Sequence, residues 1–335
     1  MGAYQNHFKI RGDPVSKLSF WLQRVAQLLI VLLLVTFGVS MLLRLIPVDL
    51  ATILLPVASE EERVILRAEL GFDKGPIGYY LQWLGNFVQG DFGKIYFSGG
   101  TENVSDHLKQ AMPRSLLLMV YTQVLALSIA IPLGVLSAYR AGRRADKIIS
   151  NTLFTLSSIP NFAIALLLVI FVGVKFAWLP TLGYAPLADG VWEHFKYMIM
   201  PVISLSVGLI ATYTRLLRAD MIAALREDYV TMAASKGLTD RRILWRHVLR
   251  PSSVTLMTSA ALSMGGLIGG AIVIESIFAT YGVGFEVFAA IAGRQYIAMQ
   301  STVAVIALFY VFFNLVVDIG TGFVDPRTRD RRVNA

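Results

Sequence analysis

The sequence predicts an all-α, polytopic membrane protein with six transmembrane helices and both termini in the cytoplasm. Of its 335 residues, 56% are hydrophobic and only 16% are charged, and the mean hydropathy is +0.62. A soluble domain of this length would need a much more polar surface. Six long stretches lack Asp, Glu, Lys and Arg, and each approaches the roughly 20 residues that cross about 30 Å of hydrocarbon. These stretches are 25–43, 115–139, 148–174, 197–214, 251–274 and 295–317.

The distribution of basic residues predicts the orientation of these spans. With a cytoplasmic amino terminus, the inner segments hold 20 Lys and Arg and the outer segments hold 9. Six of the outer ones lie between residues 47 and 114, in a loop too long for the positive-inside rule to weigh heavily. The formal net charge of +8 is therefore explained by membrane orientation, and we expect no nucleic-acid partner.

The spans divide the chain into segments with different surroundings. We predict a cytoplasmic segment 1–24, a retained first span 25–46, a partly helical extracytoplasmic segment 47–112, a membrane core 113–322 and a cytoplasmic tail 323–335. Within the core, the remaining spans are expected at about 115–139, 148–174, 197–217, 252–275 and 297–318, with a cytoplasmic segment 218–251 between the fourth and the fifth.

Proline interrupts three of the predicted spans, at Pro132, Pro160 and Pro201. Such interruptions are tolerated in a membrane when neighbouring helices or hydroxyl side chains satisfy the freed carbonyl groups. We therefore predict that each of these stretches forms a single span.

Several kinds of site are disfavoured by the residues that the chain contains. Cysteine is absent, which excludes disulfides and thiolate chemistry, and the four histidines are scattered without a second ligand nearby, so no metal site is expected. The single Gly-Lys pair, Gly93-Lys94, is followed by Ile95, so the chain lacks the phosphate-binding loop of an ATPase. H-E-x-x-H and G-x-S-x-G are also absent, which argues against an intramembrane enzyme.

The polar stretch DYVTMAASKGLTDRRILWRHVLRP, residues 228–251, is unusual in such an apolar chain. Good helix formers are expected to continue the fourth span into the cytoplasm as far as Lys236, and Gly237 suits the positive φ that follows a helix end. Thr239 can cap a second helix from Asp240 to Leu249, closed by Pro251. The sequence therefore predicts a helix, a glycine turn and a second helix beneath the bilayer.

This helix pair suits either a protein groove or the lipid surface. Small residues at Ala233, Ala234 and Ser235 permit close approach, while the apolar Met232, Leu238 and Ile243 stand among basic side chains. An amphipathic helix on anionic headgroups has a similar composition. The residues proposed to form the contact are Asp228, Tyr229, Met232, Ala233, Ala234, Ser235, Lys236, Gly237, Leu238, Arg241, Arg242 and Arg246.

The same stretch resembles the cytoplasmic EAA loop of ABC importer permeases, in the form found in the dipeptide/oligopeptide branch. That form reads roughly D-Y-x-x-x-A-x-A-K-G-L-x-x-R-R-x-x-x-R-H-x-L-x-P, and Asp228-Tyr229, Lys236-Gly237-Leu238, Arg241-Arg242 and Arg246-His247 match it as they stand. The likeness extends to LGFDKGPIGYYLQWLGNFVQGDFG on the outer side, SIPNFAIALLL in the third span and DPRTR near the carboxyl end.

The resemblance implies a non-catalytic permease subunit, with the type I ABC importer fold, in the bacterial inner membrane. Its expected partners are a homologous second permease, two ATPase subunits that bind ATP and Mg²⁺, an extracytoplasmic substrate-binding protein and the lipid bilayer. Segment 218–251 would be the ATPase-coupling loop. The implied cargo is di- or oligopeptides; glutathione, nickel complexes, haem and oligosaccharides are the alternatives within the branch.

Two further features carry alternatives that the sequence leaves open. Glu275, in the outer half of the fifth span, either faces the pathway or pairs with Arg44 or Arg294. Gly265, Gly266, Gly269 and Gly270 form two overlapping G-x-x-x-G pairs, which indicate close helix packing or a channel wall kept free of side chains. The rival to an ATP-driven importer is a secondary transporter, which would show an inverted repeat and several intramembrane acids; the sequence shows neither.

Overall fold

The computed structural model describes residues 14–45, 50–54, 59–97 and 100–324, and nearly all of this chain is helical. The predicted terminal segments lie largely outside these ranges. The helices are α1 (Pro14–Arg44), α2 (Leu50–Leu54), α3 (Glu60–Leu70), α4 (Pro76–Val88), α5 (Val104–Tyr139), α6 (Arg144–Ser157), α7 (Asn161–Leu168), α8 (Val191–Ala224), α9 (Asp228–Ser235), α10 (Asp240–Arg242), α11 (Leu249–Gly270), α12 (Ile272–Phe278), α13 (Val283–Ala292) and α14 (Tyr296–Val324). Strands β1 (Lys94–Phe97) and β2 (Gly100–Asn103) pair as an antiparallel hairpin.

Between five and seven elements of the described chain are able to cross a membrane. Five single helices are long and apolar enough, and two pairs of helices qualify only if each bent pair is one span. The six predicted spans fall within this range. The fold is thus an all-α polytopic membrane protein, while the side on which each terminus lies stays a prediction.

The predicted third span, 148–174, is not one straight helix. Helices α6 and α7 meet at 90° across residues 158–160, and α7 continues as a π-helical stretch from Val169 to Lys175. Pro160 has no N–H to donate and disfavours helical geometry in the residue before it, so the ladder of hydrogen bonds ends here. By contrast, α5 and α8 run unbroken through Pro132 and Pro201.

The predicted fifth span ends in a hairpin that the charge pattern did not reveal. Helices α11 and α12 together cover 249–278, and the chain then turns by 79° into α13. The connection between the predicted fifth and sixth spans therefore contains a helix, α13. The turn requires left-handed backbone at Ala279 and Tyr281, with φ of 49° and 53°.

Helix α4, in the predicted extracytoplasmic segment 47–112, packs against membrane helices. Helix α4 presents Tyr79, Tyr80 and Trp83 inward, and all three side chains are buried. The Tyr79 hydroxyl donates to Gln300 Oε1 at 3.0 Å, and Trp83 Nε1 donates to Ser301 Oγ at 3.1 Å. These contacts fasten α4 to α14.

Helices α5 and α8 form the most extensive described helix pair and lie at the centre of the fold. Gly134 lets them approach closely, because a Cβ there would lie 3.0–3.2 Å from Leu217. The inner part of this pair, with Val135, Ala138, Leu217 and Met221, belongs to one buried apolar cluster that also includes residues of α9. The two central helices therefore support the segment between α8 and α11.

The predicted orientation can be tested because the chain has no native cysteine. Ala141, between α5 and α6, and Ala188, before α8, are both exposed and lie at opposite ends of predicted spans. In intact spheroplasts a membrane-impermeant maleimide should label Ala188→Cys and should label Ala141→Cys only after permeabilisation. Labelling of Ala141→Cys from outside would reverse the topology.

Candidate functional site: the elbow between α8 and α11

The elbow, defined as residues 228–248, begins with a sharp turn after α8. The N–H groups of Arg226 and Glu227 donate to the carbonyls of Ala223 and Ala224 at 3.1 and 3.2 Å. Glu227 is extended, with φ −76° and ψ 147°, and α9 starts at Asp228. The prediction of one continuous helix as far as Lys236 is therefore wrong. Hydrogen bonds between residues three apart replace the α-helical pattern here and end α8 at Ala224.

Gly237 forms the turn at the centre of the elbow. Its φ is +78°, as the sequence predicts, and its N–H donates to the Ala234 carbonyl at 2.9 Å. The N–H of Leu238 donates to the Ala233 carbonyl at 3.3 Å, which completes a Schellman motif. A side chain other than glycine or asparagine is strained in this conformation.

The second half of the elbow continues into α11 without a break in the helical backbone. Thr239 occupies the N-cap position in extended geometry, but its side chain makes no capping bond. From Ile243 to Val248 the helix is π-helical, and α11 then includes Pro251. The prediction that Pro251 closes the helix is wrong: the change of hydrogen-bond register before it accommodates a residue without an N–H.

One face of the elbow is buried against the inner half of the bundle. Val230, Ala233, Ile243, Leu244 and Val248 are each at most 8% exposed and belong to the same cluster as the inner ends of α5 and α8. Burial of a large aliphatic side chain stabilises by about 1.5–3 kcal/mol. The elbow is consequently fixed to the two central helices.

The opposite face is open to solvent. Met232 is 58% exposed and Trp245 is 47% exposed, whereas Ile243 is buried and Leu238 is half-buried. Of the three apolar contact residues that the sequence suggested, Met232 is thus the exposed one. The remaining exposed elbow residues from the predicted set are Asp228, Tyr229, Ala234, Ser235, Lys236, Gly237, Arg241, Arg242 and Arg246.

The open face is positively charged. Within the described part of the chain, Lys236, Arg241, Arg242 and Arg246 make no ion pair, and Asp240 is engaged at 2.7 Å by the Tyr139 hydroxyl. Burial, and secondarily Glu227, raise the pKa of the Tyr229 phenol above its ordinary value. An apolar centre of Met232 and Ala234 with a cationic rim suits a partner groove that carries acidic groups.

Glu275 does not pair with Arg294, one of the two arginines that the sequence suggested as its partner; the side chain of the other, Arg44, lies outside the described residues. It is 1% exposed, accepts from Ser115 Oγ at 2.6 Å and accepts from the N–H of Phe285 at 3.1 Å. Ser115 Oγ in turn accepts from the N–H of Val283 at 2.8 Å. The carboxylate therefore caps the N-terminus of α13 and holds the α12–α13 hairpin to α5, in place of a pairing with Arg294.

The four glycines of α11 divide into two groups. Gly265 is buried against α14, where a Cβ would lie 3.1 Å from Tyr310 Cδ2. Gly266, Gly269 and Gly270 are exposed and have no neighbouring atom within 4 Å of a built Cβ. Packing inside this chain accounts for Gly265 alone, and the other three glycines lie on a face that the described chain leaves uncovered.

Two polar contacts near the elbow had no signal in the sequence. Asp146 pairs with Arg218, 72 residues away, and Tyr139 reaches Asp240, 101 residues away. Asp146 and Tyr139 lie beside a basic loop that the sequence marked only as an orientation signal. Charge spacing along the chain cannot reveal such pairs, since their partners come from different helices.

A solved structure shares the fold of this chain. The structure is similar to a chain in "Inward facing conformations of the MetNI methionine ABC transporter", with a TM-score of 0.54 and 15% sequence identity, over 65% of this chain and 96% of that chain. The shared fold is that of an ABC importer transmembrane domain.

The sequence comparisons identify the family. Residues 130–330 match the model of the binding-protein-dependent transport system inner membrane component, and the chain belongs to this family. It is therefore a multi-pass protein of the bacterial inner membrane and a permease component of a transport system.

Three relatives show how far the likeness extends. The probable peptide ABC transporter permease protein y4tP of Sinorhizobium fredii is 32% identical over 92% of this chain and 98% of the relative. The oligopeptide transport system permease protein AppB of Bacillus subtilis is 33% identical over the same shares. The glutathione transport system permease protein GsiC of Escherichia coli is 28% identical over 93% and 99%. The likeness therefore covers almost the whole chain.

The cap on α13 predicts that Gly284 does not tolerate a side chain. A Cβ there would lie 2.6 Å from Ile272 Cα and 3.0 Å from Glu275 Oε2. Gly284→Ala should destabilise the purified subunit by about 1–3 kcal/mol through overpacking, seen as a lower melting temperature in detergent. Gly266→Ala, in open space, is the matched control and should leave the melting temperature unchanged; equal melting of the two variants would contradict the assigned packing.

Proposed function

We propose that this chain is the permease subunit of an ATP-driven importer of di- or oligopeptides, and that it forms half of the translocation pathway. Membership of the binding-protein-dependent family supports the importer, and relatives named as peptide and oligopeptide permeases support the cargo. The second half of the pathway is supplied by a homologous permease. The exposed Gly266, Gly269 and Gly270 provide a side-chain-free strip for that subunit or for the pathway itself.

The elbow is the proposed contact with the ATPases. Its buried face is joined to α8 and to the helix that becomes α11, so a force on its open face acts on both. Helical segments transmit such displacements because packed elements move as rigid bodies. Closure of two separate ATPase subunits, which bind ATP and Mg²⁺, would then tilt α8 and α11 around the pathway. An extracytoplasmic binding protein delivers the peptide from the other side.

The observation that carries this assignment is the split surface of the elbow. A helix pair that only lay on headgroups would present its apolar side chains to the lipid, whereas Val230, Ile243, Leu244 and Val248 are buried inside the protein. The face that remains carries basic side chains around the exposed Tyr229, Met232 and Trp245. Such a face is suited to insertion into a protein groove.

Substitution of Gly237 tests the coupling role. Gly237→Pro cannot adopt the φ of +78° and removes the bond to Ala234, and Gly237→Glu adds a strained and charged side chain. Both variants should assemble poorly with the ATPases or hydrolyse ATP without uptake in proteoliposomes that contain all partners. Gly237→Asn, which tolerates left-handed backbone, is the control and should retain most uptake. Full ATP-dependent uptake by Gly237→Pro would refute the assignment.

The cargo can be tested separately from the coupling. In the same proteoliposomes, a radiolabelled tripeptide should accumulate with ATP and should be displaced by unlabelled di- and oligopeptides. Glutathione is the second candidate because of the glutathione permease relative. Uptake of glutathione that unlabelled peptides do not reduce would favour that cargo, and accumulation without ATP would favour a secondary transporter.

A further inference from the structure

An ion pair between a buried aspartate and a half-buried arginine joins α6 to α8, near the elbow. Asp146, at the start of α6, is 3% exposed, and its two carboxylate oxygens accept from Arg218 Nε at 2.7 Å and Nη2 at 2.8 Å. The arginine lies near the inner end of α8. A bidentate pair of this kind fixes the orientation of both side chains as well as their distance.

The Asp146 carboxylate also accepts hydrogen bonds from two further elements. Ser137 Oγ, in the last turn of α5, donates to Oδ1, and the N–H of Gly142 donates to Oδ2 at 2.8 Å. Asp146 therefore holds the end of α5, the turn at 140–143 and the first turn of α6 to one point on α8. Removal of Arg218 would be costly because the buried Asp146 charge would lose its compensating charge.

A second link reaches the elbow directly. The Tyr139 hydroxyl, at the end of α5, donates to Asp240 Oδ2 at 2.7 Å. Asp240 is the first residue of α10, whereas Arg218 precedes the elbow by about two helical turns, or roughly 9 Å along α8 to its end. The turn between α5 and α6 is consequently attached to the chain on both sides of α9.

Helix α6 has few other attachments. Asp146 is its one buried residue, with Ala145, Ile149 and Leu153 half-buried at helical spacing, and most of its other side chains are exposed. At its far end, residues 158–160 form the 90° bend into α7. A helix tied firmly at one end and bent sharply at the other can swing when its tied end is displaced.

We propose that Asp146 and Arg218 are positioning residues for transport, whose ion pair carries the displacement of the elbow from α8 into α6. This inference rests on the proposed function, since the displacement originates in the ATPases. Motion of α8 takes the first turn of α6 with it, and the bend before α7 absorbs the change of angle. The rearrangement around the pathway thus includes α6 as well as α8 and α11.

The test compares ATP hydrolysis with uptake in the reconstituted importer with both permeases, the ATPases and the binding protein. Asp146→Asn keeps the size of the side chain but removes its charge. It should hydrolyse ATP near the wild-type rate per assembled complex, while peptide uptake per ATP falls about tenfold, in the range of ordinary coupling energies. Arg218→Lys, which keeps the charge but loses the two-pronged contact, should show a smaller decrease in the same ratio.

A labelling readout separates positioning from simple stability. Thr152 is exposed on α6, and the chain has no native cysteine, so Thr152→Cys is a unique label. Its rate of reaction with a maleimide should change when ATP is added to the assembled importer. That ATP-dependent change should disappear when Asp146→Asn is also present.

The control breaks a different ion pair on α8, the helix that carries Arg218. Glu193 and Lys196 pair at 2.6 Å within the first turn of α8 and join no second element. Glu193→Gln should therefore leave uptake per ATP and the labelling response unchanged.

Each outcome bears on the inference in a defined way. Wild-type uptake per ATP in Asp146→Asn would overturn it, as would an unchanged labelling response. If Asp146→Asn does not assemble, Arg218→Lys decides, and a wild-type ratio in that variant would overturn the inference. If the unmodified importer shows no ATP-dependent uptake, the proposed function itself has failed, which is a separate result.

Discussion

The packing of α5 against α8 is the interaction on which the rest of the structure depends. Gly134 allows the two helices to approach closely, and their inner ends provide the apolar surface that buries Val230, Ile243 and Val248. Without that surface, the elbow would be a polar loop with no fixed orientation. Because packed helices move as rigid bodies rather than deform gradually, a displacement of the elbow is passed to the centre of the fold.

Buried carboxylates supply the second constraint, and they act at helix ends. Glu275 caps α13 on one side of the fold, and Asp146 gathers α5, α6 and α8 on the other. A buried charge is stable only when hydrogen bonds satisfy it, so each carboxylate admits one local arrangement of the backbone around it. Both carboxylates lie where the chain changes direction between two helices.

The elbow shows where reasoning from sequence succeeds and where it stops. The glycine turn could be predicted, since few residues other than glycine adopt its left-handed backbone easily. The distinction between Met232, which is exposed, and Ile243, which is buried, could not be predicted, because both are apolar and lie within one polar stretch. That distinction depends on which side chains reach the apolar cluster formed with the inner ends of α5 and α8.

Proline positions illustrate the same limit in the membrane helices. Pro132, Pro160 and Pro201 each remove one donor, yet α5 and α8 continue and only the stretch around Pro160 bends. The two continuous helices are packed along each other, which holds their course through the missing bond, whereas α6 is largely exposed. The local chemistry is identical in the three cases, and the surroundings decide the result.

Some properties of this protein follow from the sequence by itself. The absence of charge over six long stretches determines that the chain is a helical membrane protein, because hydrocarbon offers no partner to an unsatisfied backbone group. The motif around Gly237 indicates the transport family through residues that are adjacent in the chain. The tertiary structure alone decided that Glu275 meets Ser115 and that Asp146 meets Arg218. Those partners are 160 and 72 residues apart in sequence, and only folding brings such distant groups within hydrogen-bonding distance.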